Sequence, residues 1–197
     1  MKTLILFSLL AVAPVFAATC HDGDHVKANL AESLDVPFGV WCQVEPGTTI
    51  GGNLTVEGSL VLIGAHVTGN VIATGGVLNI QMNDPAHLAV IDGSVIALNS
   101  FVMLNGFRVN GSVQATNSIA FILYNGSVGN AVNASESTGR VDVQGVVVAN
   151  NAIFSDNSVL NLVGNKIGKN LNCGGNGAVS GSGNTGQHLN GQCSSLE

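Results

Sequence analysis

The segment His21-Asp22-Gly23-Asp24-His25 places four potential cation ligands within five residues. Imidazole and carboxylate are donors that divalent ions accept, and a curled loop could bring them to one point. A solvated terminus explains the same composition more simply. His21, Asp22, Asp24 and His25 are therefore weak metal candidates, and no resident cofactor is expected. A second polar set, His25, His66, Arg108 and Lys166, recurs at one position of an internal repeat, with Thr49, Ser127 and Asn184 between them. Facing outward, His66, Arg108 and Lys166 would form a stripe suited to an anionic glycan, although solvated surface is the plainer account. Asp84 and His87 add a third candidate, because they lie in a segment, residues 81–87, that interrupts the repeat. Interrupting loops carry function more often than the scaffold around them.

Catalytic patterns are harder to find. No serine sits in GxSxG, the strained turn that exposes many hydrolase nucleophiles. Glycoside cleavage needs two carboxylates at a set separation, and Glu45, Glu57, Asp84, Asp92, Glu136, Asp142 and Asp156 fall in different repeats and positions. Lyase chemistry would need an acidic calcium cluster beside a basic residue, and neither Arg108 nor Arg140 has one in register. Residues 181–186 spell GxGxxG, but only eleven residues follow, with neither a helical pattern nor an acidic residue about 20 further on. Ice binding favours regular threonine ladders, and Thr49, Thr68, Thr74 and Thr116 fall out of line. No catalytic residue is expected; a polysaccharide lyase or hydrolase and an ice-binding protein are the lesser alternatives.

The repeat must position whatever chemistry exists. Its core reads apolar-x-small-Asn/Ser-apolar, as in Ile50-Gly51-Gly52-Asn53-Leu54, Ile91-Asp92-Gly93-Ser94-Val95 and Val109-Asn110-Gly111-Ser112-Val113. Nine copies, starting with Val26-Lys27-Ala28-Asn29-Leu30, are spaced by 17 to 24 residues. A second apolar run follows each centre, such as Phe101-Val102-Met103-Leu104, and turn residues such as Asn105-Gly106 and Asn125-Gly126 lie between runs. Short β-branched runs bounded by Gly and Asn predict strands, and no 3.6-residue period persists. The expected fold is all-β: a single-stack parallel β-helix (β-solenoid) of eight or nine coils, right-handed by the crossover preference and about 40 Å long.

Equivalent residues should then stack. Val26, Ile50, Val67, Ile91, Val109, Val128, Val148 and Ile167 form one expected inward column. Leu30, Leu54, Val71, Val95, Val113, Val132 and Leu171 form another, with Ala73, Ala97, Ala115 and Ala134 as a small third. Asn29, Asn53, Asn70, Ser94, Ser112, Asn151 and Asn170 mark a corner, where such side chains favour turns by bonding their own backbone. Two 24-residue spacings predict extra loops: 35–42, read as a cap, and 81–87, read as a side excursion.

The ends and the composition define the setting. Lys2, an apolar run from Thr3 to Phe16 and Ala17 give the order of a secretory signal peptide, residues 1–17. Residues 18–48 are expected to form a cap and first coil, and 49–197 the solenoid. No later stretch is long and apolar enough for a transmembrane span. Cys20, Cys42, Cys173 and Cys193 allow three pairings; their spacing suggests Cys20–Cys42 and Cys173–Cys193, one staple near each end. Charged residues are only 9%, with a net charge of −6, so nucleic acid is a poor partner. Asn53, Asn110, Asn125 and Asn133 begin N-glycosylation sequons.

The phrase Val44-Glu45-Pro46-Gly47-Thr48-Thr49-Ile50-Gly51-Gly52-Asn53-Leu54-Thr55-Val56-Glu57-Gly58 and the recurring form Val67-Thr68-Gly69-Asn70-Val71-Ile72-Ala73 resemble bactofilins. The resemblance covers roughly residues 44–171. It implies a right-handed β-helical core and a polymer-forming scaffold. The signal peptide, the cysteines and the looser copies after residue 125 depart from that pattern. The function expected is that of a secreted, non-catalytic structural or surface protein. Its expected partner is itself, end to end or laterally, or a cell-surface glycan; carbohydrate binding is the main alternative.

Overall fold

The computed structural model describes residues 17–197; the proposed signal peptide lies outside them except for Ala17. Three parallel sheets of ten, nine and seven strands run the length of the stack. One coil illustrates the construction: Val95–Leu98 in the first sheet, Phe101–Asn105 in the second and Phe107–Val109 in the third. Each strand pairs with the equivalent strand one coil before and after, so the chain is a parallel β-solenoid of about nine turns. Isolated parallel bridges, Leu30 to Ile50 and Lys166 to Thr185, extend the third sheet at both ends.

Alternation along each short strand builds the core. Val95 and Ala97 point in, as do Val102 and Leu104, and Phe107 and Val109. The expected columns are found from Ile50 to Ile167, from Leu54 to Leu171 and through the four alanines, all buried. Ala152 fills the gap between Val132 and Leu171, and the alanine column continues into Phe154 and Cys173. Burying one Val or Leu contributes about 1.5–3 kcal/mol, so stacking supplies a long core with few aromatics.

The first repeat is placed differently from the sequence expectation. Val26 pairs with Val44 in the second sheet, and Leu30 aligns with Ile50. Leu34, not Leu30, pairs with Leu54. Residues 35–42 are consequently no extra loop: they form Leu34–Val36, a turn, and Trp41–Val44, an ordinary part of a coil. Apolar residues recur at 26, 30, 34 and 36, so a five-residue pattern fits in more than one phase. The second long spacing is a true excursion. Residues 82–88 separate strands Val77–Gln81 and Ala89–Ile91, where the next coil has only Gly106 between its strands.

The corners explain the small and polar residues. A Cβ on Gly93 would stand 2.5 Å from the Gly69 carbonyl oxygen, so the coils approach too closely for a larger residue. Asn99, Asn117, Glu136 and Asp156 share a left-handed corner with Gly75 and Gly175. The residue after each non-glycine corner, Ser100, Ser118, Ser137 or Asn157, is buried.

Disulfides join Cys20 to Cys42 and Cys173 to Cys193. Each links neighbouring coils, and all four cysteines are buried at the ends of the core. The 3-10 turn Gln192–Ser195 lies over the last coil, with Cys193 and Leu196 buried beneath it. Among the described residues, no helix is long and apolar enough to cross a membrane.

Candidate functional site

The outward column of the third sheet is Thr49, His66, Val90, Arg108, Ser127, Val147, Lys166 and Thr185. His66, Arg108 and Lys166 share it, but Val90 and Val147 interrupt the stripe. His25 is absent from it, lying in the second sheet beside Gln43. Asn184 is also absent, because it is buried and Thr185 takes its place. His66 Nε2 lies 2.8 Å from Asp92, which also accepts an amide hydrogen bond from Asn110. Lys166 stands three rungs from Arg108, about 14 Å at the usual strand spacing.

The excursion brings two candidates together. His87 and Arg108 line one shallow depression of about 260 Å³ with Gly64, Ala86, Leu88 and Val90. Asp84 is occupied within its own loop: its carboxylate accepts the Ala86 N–H and lies 2.7 Å from His87 Nδ1. The hydrogen bond with His87, aided by that N–H, holds the Asp84 carboxyl below its ordinary value.

The four residues of the N-terminal segment do not converge: His21 and Asp24 meet each other, while Asp22 and His25 turn to separate partners. Asp22 accepts the Trp41 N–H, His25 Nδ1 meets Glu45 at 2.6 Å, and Asp24 accepts the His21 N–H. Among the described residues, no three His, Cys, Asp or Glu side chains gather around a common point. The GxGxxG string is the end of strand Ala178–Ser182 and a left-handed turn at Gly183, and it opens no helix: the strand His188–Gly191 comes next. A pyrophosphate would therefore meet no helix N-terminus there.

The densest polar cluster escaped the sequence expectations. Asp142 lies between inward-facing Val141 and Val143 in strand Arg140–Gln144, on the outer face of the second sheet. It is nonetheless fully buried, under neighbouring side chains. Tyr124 donates its phenol hydrogen to Oδ2, Asn161 donates its amide to Oδ1 at 2.7 Å, and Gln144 donates to both oxygens. Arg140 completes the cluster as an ion pair. Burial opposes the charge on Asp142, but the hydrogen bonds and the guanidinium prevail and hold its pKa below the ordinary 3.8. The same contact raises Tyr124 above its ordinary 10.0, with burial and the Asp142 charge adding to the effect. Beside the cluster is an open depression of about 440 Å³, lined by Tyr124, Asn125, Gln144, Gly145, Val163 and Gly164.

The chain matches no protein-family model, no curated protein and no solved structure. The likeness to bactofilins therefore rests on the repeat phrases themselves.

The four sequon asparagines differ in surroundings. Asn53, Asn110 and Asn125 are exposed, whereas Asn133 is half-buried with its Oδ1 enclosed. The signal that could have found the Asp142 cluster was a charge at a position where preceding coils carry Met103 and Ile122. That signal is visible only when the outward column of the second sheet is in exact register.

Proposed function

We propose that this is an exported, non-catalytic structural β-solenoid, a short rigid rod that works by presenting its lateral faces. The observation that carries the reading is the use made of polar side chains. Asn53, Asn70, Asn157, Asn165, Asn176 and Asn184 all hydrogen-bond from one coil to another. They maintain the stack and are not collected around a reacting atom. Export is supported by the charged, apolar and small-residue order of residues 1–17, and by two disulfides that suit an oxidising compartment.

Surface display is favoured over growth into filaments. The interior of the last coil is covered by Cys193 and Leu196. Extension through that end, as the bactofilin resemblance implies, would have to displace this cover. The absence of catalysis is tested by incubating the oxidised protein with neutral and anionic polysaccharides and assaying reducing ends and unsaturated products. The reading expects neither above a Val113→Asp control; turnover that copurifies with the folded protein would replace it with an enzyme.

A further inference from the structure

The depression beside Asp142 exists because its corner lacks side chains. Gly145 and Gly164 both turn there with φ of 62°, and nothing lies within 4 Å of a Cβ built on Gly164. Asn125 occupies the same corner two coils before Gly164, with φ of 50°. The wall is Tyr124, the only tyrosine in the chain, together with Gln144.

Both wall residues are fixed by Asp142. The Tyr124 phenol donates to one carboxylate oxygen, which anchors the far end of the ring. Gln144 spends its amide nitrogen on both oxygens, at 2.9 and 3.2 Å, which leaves its carbonyl oxygen uncommitted to the carboxylate. Neighbouring coils manage the Asp142 position with Ile122 and Met103, so the sheet does not itself require a buried carboxylate there. The carboxylate orients the two groups beside the depression.

We infer that the depression is a binding subsite for a neutral saccharide chain. An aromatic ring suits the C–H face of a sugar, and the Gln144 and Asn125 amides suit its hydroxyls. The lining contains no charged residue; Arg140, in the strand that carries Gln144, is already paired with Asp142, and Lys166, two residues beyond Gly164, belongs to the third sheet's outward column. With a net charge of −6, the whole chain disfavours an anionic glycan. The site is shallow and open, which fits one side of an extended chain better than an enclosed small molecule. This inference goes beyond the structural reading, which survives if no saccharide binds.

Native electrophoresis through gels containing a mixed-linkage β-glucan, a galactomannan, a mannan or a dextran provides the test, with alginate as the anionic arm. At least one neutral polymer should retard the wild type in proportion to its concentration. Tyr124→Ala and Gly164→Asn should each weaken that retardation at least tenfold. Gly164→Asn fills the depression with a residue that the same corner already accepts, so its melting temperature should stay near that of wild type. Tyr124→Phe keeps the ring and should fall between. Failure of all four neutral polymers would overturn the inference. So would unchanged retardation of a folded Gly164→Asn, or retardation by alginate alone.

Discussion

The Asn53 side-chain oxygen accepts the backbone N–H of Asn70, its counterpart one coil later, at 2.8 Å. Asn70 does the same for Ser94, and Ser94 for Ser112. These corner residues were expected to bond their own backbone; they bond the next coil instead. Two other corners run the ladder in the opposite direction. Asn157 accepts the N–H of Ser137 one coil earlier, and Asn165 accepts that of Val146. At these corners the side chains add coil-to-coil bonds beside those the backbone makes, such as the Gly93 N–H to the Gly69 carbonyl.

The buried ladder should be far more costly to break than an exposed one. Asn157→Ala strands the buried Ser137 N–H and removes the amide that Asn157 adds at the Ala134 carbonyl. An orphaned buried group costs about 1–3 kcal/mol, so a loss of about that size is expected in urea unfolding. Asn150 donates its amide to Asn130 on the exposed edge, and Asn150→Ala should stay within about 0.5 kcal/mol. Equal losses in the two variants would refute the coil-to-coil role.

Tyr124 and Asp142 make opposite predictions about pH. The Tyr124 pKa is raised in the folded state, so its contribution is present below pH 10.0 and lost as pH rises through the folded value. The Asp142 pKa is lowered, so its contribution is present above pH 3.8 and lost as pH falls through the folded value. Because Tyr124 is the sole tyrosine, absorbance at the phenolate band reports it alone. The midpoint of ionisation should lie above the ordinary 10.0 in the wild type and move down in Asp142→Asn. A wild-type phenol titrating at its ordinary value would contradict the contact.

The C-terminal disulfide should act locally. Closure of a loop of about 20 residues stabilises by about 3 kcal/mol in the chain-entropy account. Replacing Cys173 and Cys193 by serine should therefore lower stability by about that amount. Amide exchange should accelerate in strands Asn170–Gly174 and His188–Gly191 and remain slow in Val95–Leu98, since coils contact only their neighbours. Uniform acceleration along the stack would argue against the local staple.

Val113 is fully enclosed among equivalent residues Val95 and Val132. Val113→Asp places an unpaired charge there and should abolish folding. A soluble variant that melts cooperatively would show that this column does not face the core.

The inward columns were legible because burial repeats the same residue types at the same spacing. Ile50 through Ile167 could be aligned with no knowledge of the sheets. The first coil was misplaced because Val26, Leu30, Leu34 and Val36 satisfy more than one phase, and only pairing with Val44, Ile50 and Leu54 selects among them. Outward chemistry was less legible. Tyr124, Arg140, Asp142, Gln144 and Asn161 come from three coils and are neighbours only through exact register. The Arg108 stripe is broken for the same physical reason: an outward column has no burial constraint, so Val90 and Val147 occupy it as readily as polar residues.

Light scattering coupled to size exclusion, with negative-stain microscopy of the same fractions, tests the short rod with its covered C-terminal end most directly. The oxidised chain would be measured across a hundredfold concentration range. A concentration-independent mass and particles about 40 Å long, from nine rungs at the usual spacing, are expected. Filaments, or a mass that climbs with concentration, would contradict the closed end and favour a scaffold that grows by stacking.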